Sequence, residues 1–286
     1  MRGILYPKNY FSSSLPDEVF EAEYEVVKSL GIPVAFYDQE SLNFDNKVKI
    51  FNLDKEVDSY IYRGWMLTEN EYKKIENSLE SRGTLLSITT EEYLKSHSFE
   101  NWYYAFEDFT FPSVIINDPT NKAEIEHAIS ALSSEKFFVK DFVKSIADPD
   151  ASIANTPDDL HITIKNYLRE RESYLMGKIV VREFIELNQN IAEIRTWWVN
   201  GALYLITSHP NFTDKSIPDI SEVEFYLETL KPHVSDFGEL FVSIDMAKTM
   251  SGEWVIVEVG NGQVSGLPGN VTTEELTLLF TALNGR

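Results

Sequence analysis

The sequence predicts an α+β protein that opens with an α/β unit. Two observations carry this expectation. The N-terminal part alternates short apolar strands with amphipathic helices, the order of a parallel sheet. The C-terminal half instead runs strand to strand through short turns, the order of antiparallel hairpins.

In the first part, GILYP (3–7) reads as a strand, and Asp17 can cap a helix through VFEAEYEVVKSLG that stops at Gly31. IPVAFYD (32–38) is a second strand and VDSYIYRGW (57–65) a third, breaking at Gly64. LTENEYKKIENSLESRG (67–83) is a helix with Thr68 as cap, and TLLSI (84–88) a fourth strand. The aromatic stretch FENWYYAFEDFTFPS (99–113) reads as a helix and a crossing into a second domain, or a contact surface. Beyond it come strand SVIIND, helix NKAEIEHAISALS, strand KFFVKDFV and the irregular KSIADPDASIANTPDD. Helix LHITIKNYLRERESYL and strand KIVVREFIEL (178–187) follow. The final part is EIRTWWVNG, ALYLITSH, helix SEVEFYLETLKPHVS, ELFVSIDMA, EWVIVEV and helix TEELTLLFTALN. Asn200-Gly201 marks a two-residue hairpin turn. The expected domains are 1–100 and 112–286, the latter divided at 180/181.

Composition narrows the function classes. The 286 residues carry a net charge of −21, from 25 basic and 46 acidic side chains, a field that repels nucleic acid and anionic lipid. There is no cysteine, which excludes disulfides and thiolate metal sites. No apolar run reaches membrane-crossing length, and the opening MRGILYPKNYF lacks the apolar stretch of a signal peptide. The expectation is a soluble cytoplasmic protein without nucleic-acid or membrane partners. Nothing in the sequence sets an oligomeric state. The histidines 97, 127, 161, 209 and 233 are scattered without metal-ligand spacing. Neither a Gly-x-Ser-x-Gly elbow nor a Walker-type loop is present.

The chemistry-bearing residues gather on the later strands. In FVSIDMA, Phe241, Ser243 and Asp245 share one face; in WVIVEV, Trp254, Ile256 and Glu258 share one face. If the two strands pair, Asp245 and Glu258 point to one side, and a bulge at Gly260 brings Asn261 round to them. Such hard oxygen ligands suit Mg²⁺; the bland alternative is ion pairing with Lys248 or an arginine. KFFVKDFVKS spaces Lys136, Lys140 and Lys144 on one face. Lys140, in the apolar middle, needs an anion: a phosphate, or Glu183 or Asp245. Arg195 sits in an apolar strand beside two tryptophans, suited to phosphate or to Glu193 or Glu183. In VVREFIEL, Arg182, Phe184 and Glu186 alternate with Glu183 and Ile185. Arg63, at a strand end, is a weaker candidate for a substrate's acidic group, with a surface ion pair as the alternative, and His209 is a weaker candidate for a substrate contact, with a structural role as the alternative.

The order of a lysine strand, REFIEL, EIRTWWVNG, SIDMA and VIVEVGNGQVSGLP resembles the ATP-grasp superfamily, in the clade named for two arginines and a lysine. The resemblance covers 112–286, with 1–100 similar to the Rossmann-like pre-ATP-grasp domain. It implies an ATP- and Mg²⁺-dependent ligase joining a carboxylate to an amine through an acyl-phosphate, acting on an amino acid, peptide or protein. By position, Lys140 would contact ATP phosphates or adenine, with Lys144 beside it. Glu183, Phe184 and Ile185 would be the adenine hinge, and Glu186 would take the ribose. Arg195 would meet the transferring phosphate and Arg182 would be the other arginine. Asp245, Glu258 and Asn261 would hold one or two Mg²⁺, with Mn²⁺ as substitute. The chain departs from the family in SIADPDASIANTPDD, which lacks the usual glycines of the phosphate lid, and in the extra residue between Glu258 and Asn261. A kinase of the same fold and a degenerate nucleotide-binding module are the competing readings.

Overall fold

The computed structural model describes residues 1–142, 152–171, 178–212 and 218–285. The first part contains β1 (Arg2–Pro7), α1 (Glu21–Ser29), β2 (Val34–Tyr37), α2 (Gln39–Phe44), β3 (Ile50–Phe51), β4 (Ser59–Tyr62), α3 (Glu69–Glu80) and β5 (Leu85–Leu86). These strands form a five-stranded sheet in the order β3-β2-β1-β4-β5, parallel except for β3. The parallel α/β expectation is met. The sequence reading did not find α2 or the antiparallel edge strand β3, and it made β5 longer than it is. Thr68 caps α3 in a reciprocal box with Glu71. Gly3 lets β1 lie close to its neighbour, because a Cβ there would stand 2.6 Å from the Tyr60 ring.

Two short helices, α4 (Thr90–His97) and α5 (Phe99–Tyr103), carry the chain out of this part. Phe99, Trp102 and Phe106 are fully or almost fully buried, so the aromatic stretch is an internal joint rather than a contact surface. Tyr104 is its exposed exception.

The middle sheet is β6 (Ser113–Ile116), β7 (Phe137–Asp141), β8 (Ile153–Ala154) and β9 (Ile179–Glu183), with α6 (Lys122–Ile129) and α7 (Pro157–Arg171) between strands. Its order is β6-β9-β7-β8, all antiparallel. Phe137, Val139, Ile179 and Val181 turn to one face, into a core with Leu160, Ile164 and Tyr167 of α7. The alternation of a strand then sends Lys140, Val180 and Arg182 to the other face.

The third sheet is β10 (Ile194–Val199), β11 (Ala202–Ser208), β12 (Phe241–Lys248) and β13 (Trp254–Asn261), with α8 (Ile220–Phe237) between β11 and β12. Its order is β11-β10-β12-β13, antiparallel throughout. Asn200 and Gly201, at φ of 50° and 74°, make the tight β10–β11 turn. Ile194, Trp198, Val242, Ile244, Met246, Trp254, Ile256 and Val259 form one face, packed on α8. The opposite face changes character along its length. Trp197, Val199 and Phe241 join the core of the first part, and the same face continues to Ser243, Arg195 and Asp245. The last helix, α9 (Thr273–Asn284), returns to the first part, where Leu276, Leu279, Phe280 and Leu283 complete its core. Among the described residues, no helix is long and apolar enough to cross a membrane.

Candidate active site

The polar end of that face meets the Lys140 face of the middle sheet. Asp245 on β12 is the register partner of Arg195 on β10 and of Glu258 on β13. Two carboxylates directly opposed across strands repel unless cations stand beside them. Both have one. Arg195 grips Asp245 with both prongs, Nε to Oδ1 at 2.6 Å and Nη2 to Oδ2 at 2.8 Å. Lys140 stands 3.7 Å from a Glu258 carboxylate oxygen.

The Asp245–Glu258 pairing depends on a bulge. Val257 is an extra residue on β13, between the pairs Asp245–Glu258 and Met246–Ile256. Trp254 and Ile256 bury on the α8 side, and the bulge turns Glu258 to the opposite side. Trp254, Ile256 and Glu258 therefore do not share a face, which corrects the sequence expectation. The bulge also exposes the Val257 carbonyl, which accepts from Arg182 Nη1 at 2.7 Å.

The same parity removes Asn261 from the set. It is Gly260, not Asn261, that follows Glu258 on its face. Asn261 pairs with Val242, is 0 % exposed, donates to the Ser96 hydroxyl at 2.9 Å and accepts from the Gln263 N–H. Its amide locks α4 to the end of β13. The space beside Gly260 holds two hydroxyls, Ser243 and Ser265, 2.6 Å apart.

Arg182 is nearly fully buried among rings, with its guanidinium carbon 5.1 Å from the Phe99 centroid, 5.7 Å from Trp102 and 5.4 Å from Phe111. Among the described residues its Nε and Nη2 have no hydrogen-bond partner. Burial draws its pKa down to about 10, with Glu258 opposing. Burial likewise lowers that of Lys140, again against Glu258. For Arg195 burial acts the same way, but Asp245, Glu258 and Glu193 together outweigh it and hold the cation more firmly than usual.

One residue of the centre was considered in the sequence only as a partner for Arg195. Glu193, just before β10, has its pKa pushed up to about 8 by burial and by the carboxylates of Asp245 and Glu258. It lies with His209 and Asp245 in a group whose ligating atoms are all within 4.8 Å of one another. His209 Nε2 is 3.7 Å from Asp245 Oδ2, while its Nδ1 accepts from the Asn211 N–H. The signal available in the sequence was an acid adjoining an arginine-bearing apolar strand. Burial first, and the neighbouring carboxylates second, disfavour the charged form of Glu193, and a divalent cation beside it would favour that form. The oxygens of Asp245 and Glu258 and the unbonded donors of Arg182 fit a metal–polyphosphate ligand.

The expected hinge lies just past β9. Its Glu183 N–H donates to Pro112 and its Phe184 N–H to Lys136, both at 2.9 Å. Among the described residues the Ile185 N–H has no hydrogen-bond partner. Glu186 is exposed, and Lys136 lies over the Phe184 ring, 3.8 Å from its centroid. Lys144 and the first half of the KSIADPDASIANTPDD segment, residues 144–151, lie outside the described residues.

Arg63 does not reach this centre. It is 2 % exposed and forks onto Glu23, Nε at 2.8 Å and Nη2 at 2.7 Å. Its Nη1 donates to the carbonyls of Gly262, Gln263 and Ser265. Every donor group is engaged, so it pins the turn after β13 to the first part, not a substrate's acid. A hollow of about 450 Å³ between Phe109, Phe225 and Trp254 shares no residue with the charged centre.

A family model described as "ATP-grasp domain, R2K clade family 3" matches residues 102–283, more than half of the chain. No curated protein matches the sequence. Among solved structures, D-cycloserine synthetase DcsG is similar with a TM-score of 0.65 and 12% identity, over 100% of this chain and 99% of that one. The macrocyclase MdnC from Microcystis aeruginosa MRC, solved with precursor peptide MdnA, is similar with a TM-score of 0.64 and 12% identity, over 99% and 100%. The D-alanine-D-alanine ligase from Coxiella burnetii gives 0.62 and 10% identity, over 99% and 94%. At these identities the likeness is one of fold.

Proposed function

The chain belongs to family 3 of the R2K clade of ATP-grasp domains, a fold of ATP-dependent carboxylate–amine ligases, and from that premise we propose a specific reaction and residue roles. The enzyme activates the carboxylate of an amino acid, peptide or protein as an acyl-phosphate and passes it to an amine. The observation that carries this reading is the junction of the two later sheets, where Lys140 faces Glu258 and Arg195 faces Asp245. Each cation has an anion to exchange for phosphate, and each carboxylate has a cation to exchange for metal.

Lys140 and Arg182 receive the ATP phosphates. The Ile185 N–H, with the Glu183–Phe184 backbone, reads the adenine edge, and Glu186 takes the ribose hydroxyls. Asp245 and Glu258 would hold one or two Mg²⁺, with Mn²⁺ as substitute, which would supply neutralisation of phosphate charge. Arg195, with planar forked donors, stabilises the transferring phosphoryl group and the acyl-phosphate. A carboxylate oxygen attacks the γ-phosphorus and ADP leaves. The amine then attacks the acyl carbon and phosphate leaves, so one amide, one ADP and one phosphate form per ATP.

Turnover with carboxylate and amine panels tests this, reading ADP and free phosphate together. Equal amounts, with an amide product, support the ligase. ADP with a stable phosphorylated product means a kinase. Folded protein that binds no nucleotide means a degenerate module.

A further inference from the structure

The turn after β13 has two sides, and only one of them faces the charged centre. On that side Arg195 Nη1 donates to the Gly266 carbonyl at 3.1 Å, and Ser265 meets Ser243. On the other side, Val264, Ser265, Gly266 and Leu267 wall a cavity of about 110 Å³ whose far wall is Val19, Phe20 and Trp65. Its polar members, Glu23 and Arg63, are spent on each other and on the backbone of the same turn. The cavity is thus apolar in effect and held in shape by the Arg63 clamp.

Its surroundings are apolar as well. β1 and β4 are parallel neighbours at the point where the strand order of the first sheet reverses, and their C-terminal ends open to the same crevice. The loop after β1, closed by pairing of Lys8 with Pro16, exposes Tyr10, Phe11 at 92 % and Leu15. Val19 follows at 65 %, and Trp65 and Met66, after β4, are exposed by 43 % and 42 %. Phe20 packs edge-on to Trp65, 5.5 Å between centroids. In a chain of net charge −21, exposed Val19 and Trp65 on the wall of an apolar cavity mark a binding surface.

We infer that the carboxylate this enzyme activates belongs to an amino acid or a peptide C-terminus with a large aliphatic or aromatic side chain, which lodges between Phe20, Trp65 and Leu267. The inference rests on the ligase reading. Arg195 bonds the Gly266 carbonyl, and Gly266 is also a wall of the cavity, so an acid group held at Arg195 lies at the cavity's rim.

The test uses full-length protein, Mg²⁺-ATP and hydroxylamine, which converts an acyl-phosphate to a hydroxamate whatever the natural amine. The acids are L-phenylalanine, L-leucine, L-aspartate and L-lysine, each free and as the C-terminal residue of a glycine-led tripeptide. The expected result is kcat/KM for the apolar acids about 100-fold above the charged ones, since one pocket-filling apolar group is worth about 10–200-fold and a buried unpaired charge is costly. The free and tripeptide arms tell which source is used. Val19→Glu, at a surface position that folding tolerates, raises KM for the apolar acid about tenfold, and Trp65→Ser does the same; Mg²⁺-dependent binding of an ATP analogue is unchanged in both. Equal use of charged acids, no hydroxamate from any of the panel, or unaltered KM in both variants overturns the inference. Sedimentation showing a dimer that Val19→Glu dissociates also overturns it, because the apolar surface then serves a second copy. Loss of nucleotide binding in the unmodified protein is a separate outcome, and it removes the ligase reading itself.

Discussion

Arg63 and Arg182 are both buried arginines at the end of a strand, and they do opposite things. Arg63 has every donor group satisfied, by one carboxylate and three carbonyls from a turn some 200 residues away. Arg182 has one hydrogen bond, three aromatic rings, and two nitrogens without a partner among the described residues. Leaving buried donors unmet costs about 1–3 kcal/mol, more when the group is charged. The donors of Arg63 are all spent on the scaffold, whereas Arg182 keeps two unmet donors that an anion could take.

The sharpest way to break this contrast is Arg182→Met. The linear side chain keeps much of the packing against Phe99, Trp102 and Phe111 but removes the donors. Turnover should fall on the order of 100-fold or more, while the urea midpoint of the nucleotide-free protein stays level or rises, because an uncompensated buried charge is gone. A large loss of stability would make Arg182 a second scaffold arginine. Arg63→Ala should do the reverse. It strands Glu23 and frees the turn after β13, at a cost of about 3–5 kcal/mol in urea unfolding, and molecules that remain folded should keep their affinity for Mg²⁺-nucleotide.

His97 sharpens the comparison by pH. It stacks on Tyr93, and burial lowers its pKa to about 4, with Asp141 opposing. In the unfolded chain its pKa is about 6.5. The unfolded state therefore binds more protons between these values, and stability rises with pH. The contribution is fully present above about pH 6.5 and is lost as pH falls toward 4, amounting to about 3 kcal/mol. Unfolding followed across that window should show the loss, and His97→Phe should flatten it. Smaller still is Asn261→Ala, which removes the bond to Ser96 and should cost about 1–2 kcal/mol without changing Mg²⁺ dependence. A lost metal requirement would return Asn261 to the ligand set.

The parts of this picture that were legible in the sequence are those set by local pattern. Alternation exposed the parallel unit and the hairpins, and the short turn after FVSIDMA set Asp245 and Glu258 on neighbouring strands, although the bulge that makes them direct partners was not foreseen. Arg63 was misplaced because its partners, Glu23 and the turn at 262–265, are remote in sequence, and strand-end position says nothing of them. Asn261 was misplaced because a bulge was expected at Gly260, after Glu258, whereas it falls at Val257, before it. One residue's shift decides which face every later side chain takes. The raised pKa of Glu193 comes from burial and from carboxylates on separate strands, which no single segment displays.

The central claim is that the Lys140–Glu258 and Arg195–Asp245 pairs open to receive Mg²⁺-ATP. Its most direct test is calorimetric titration of a non-hydrolysable ATP analogue, with and without Mg²⁺, into the unmodified protein and Glu258→Ala. Binding that requires Mg²⁺ and is lost in folded Glu258→Ala is the predicted result. Equal binding with and without the metal, or an unaltered affinity in the variant, would contradict it and leave Glu258 as the ion-pair partner of Lys140 alone.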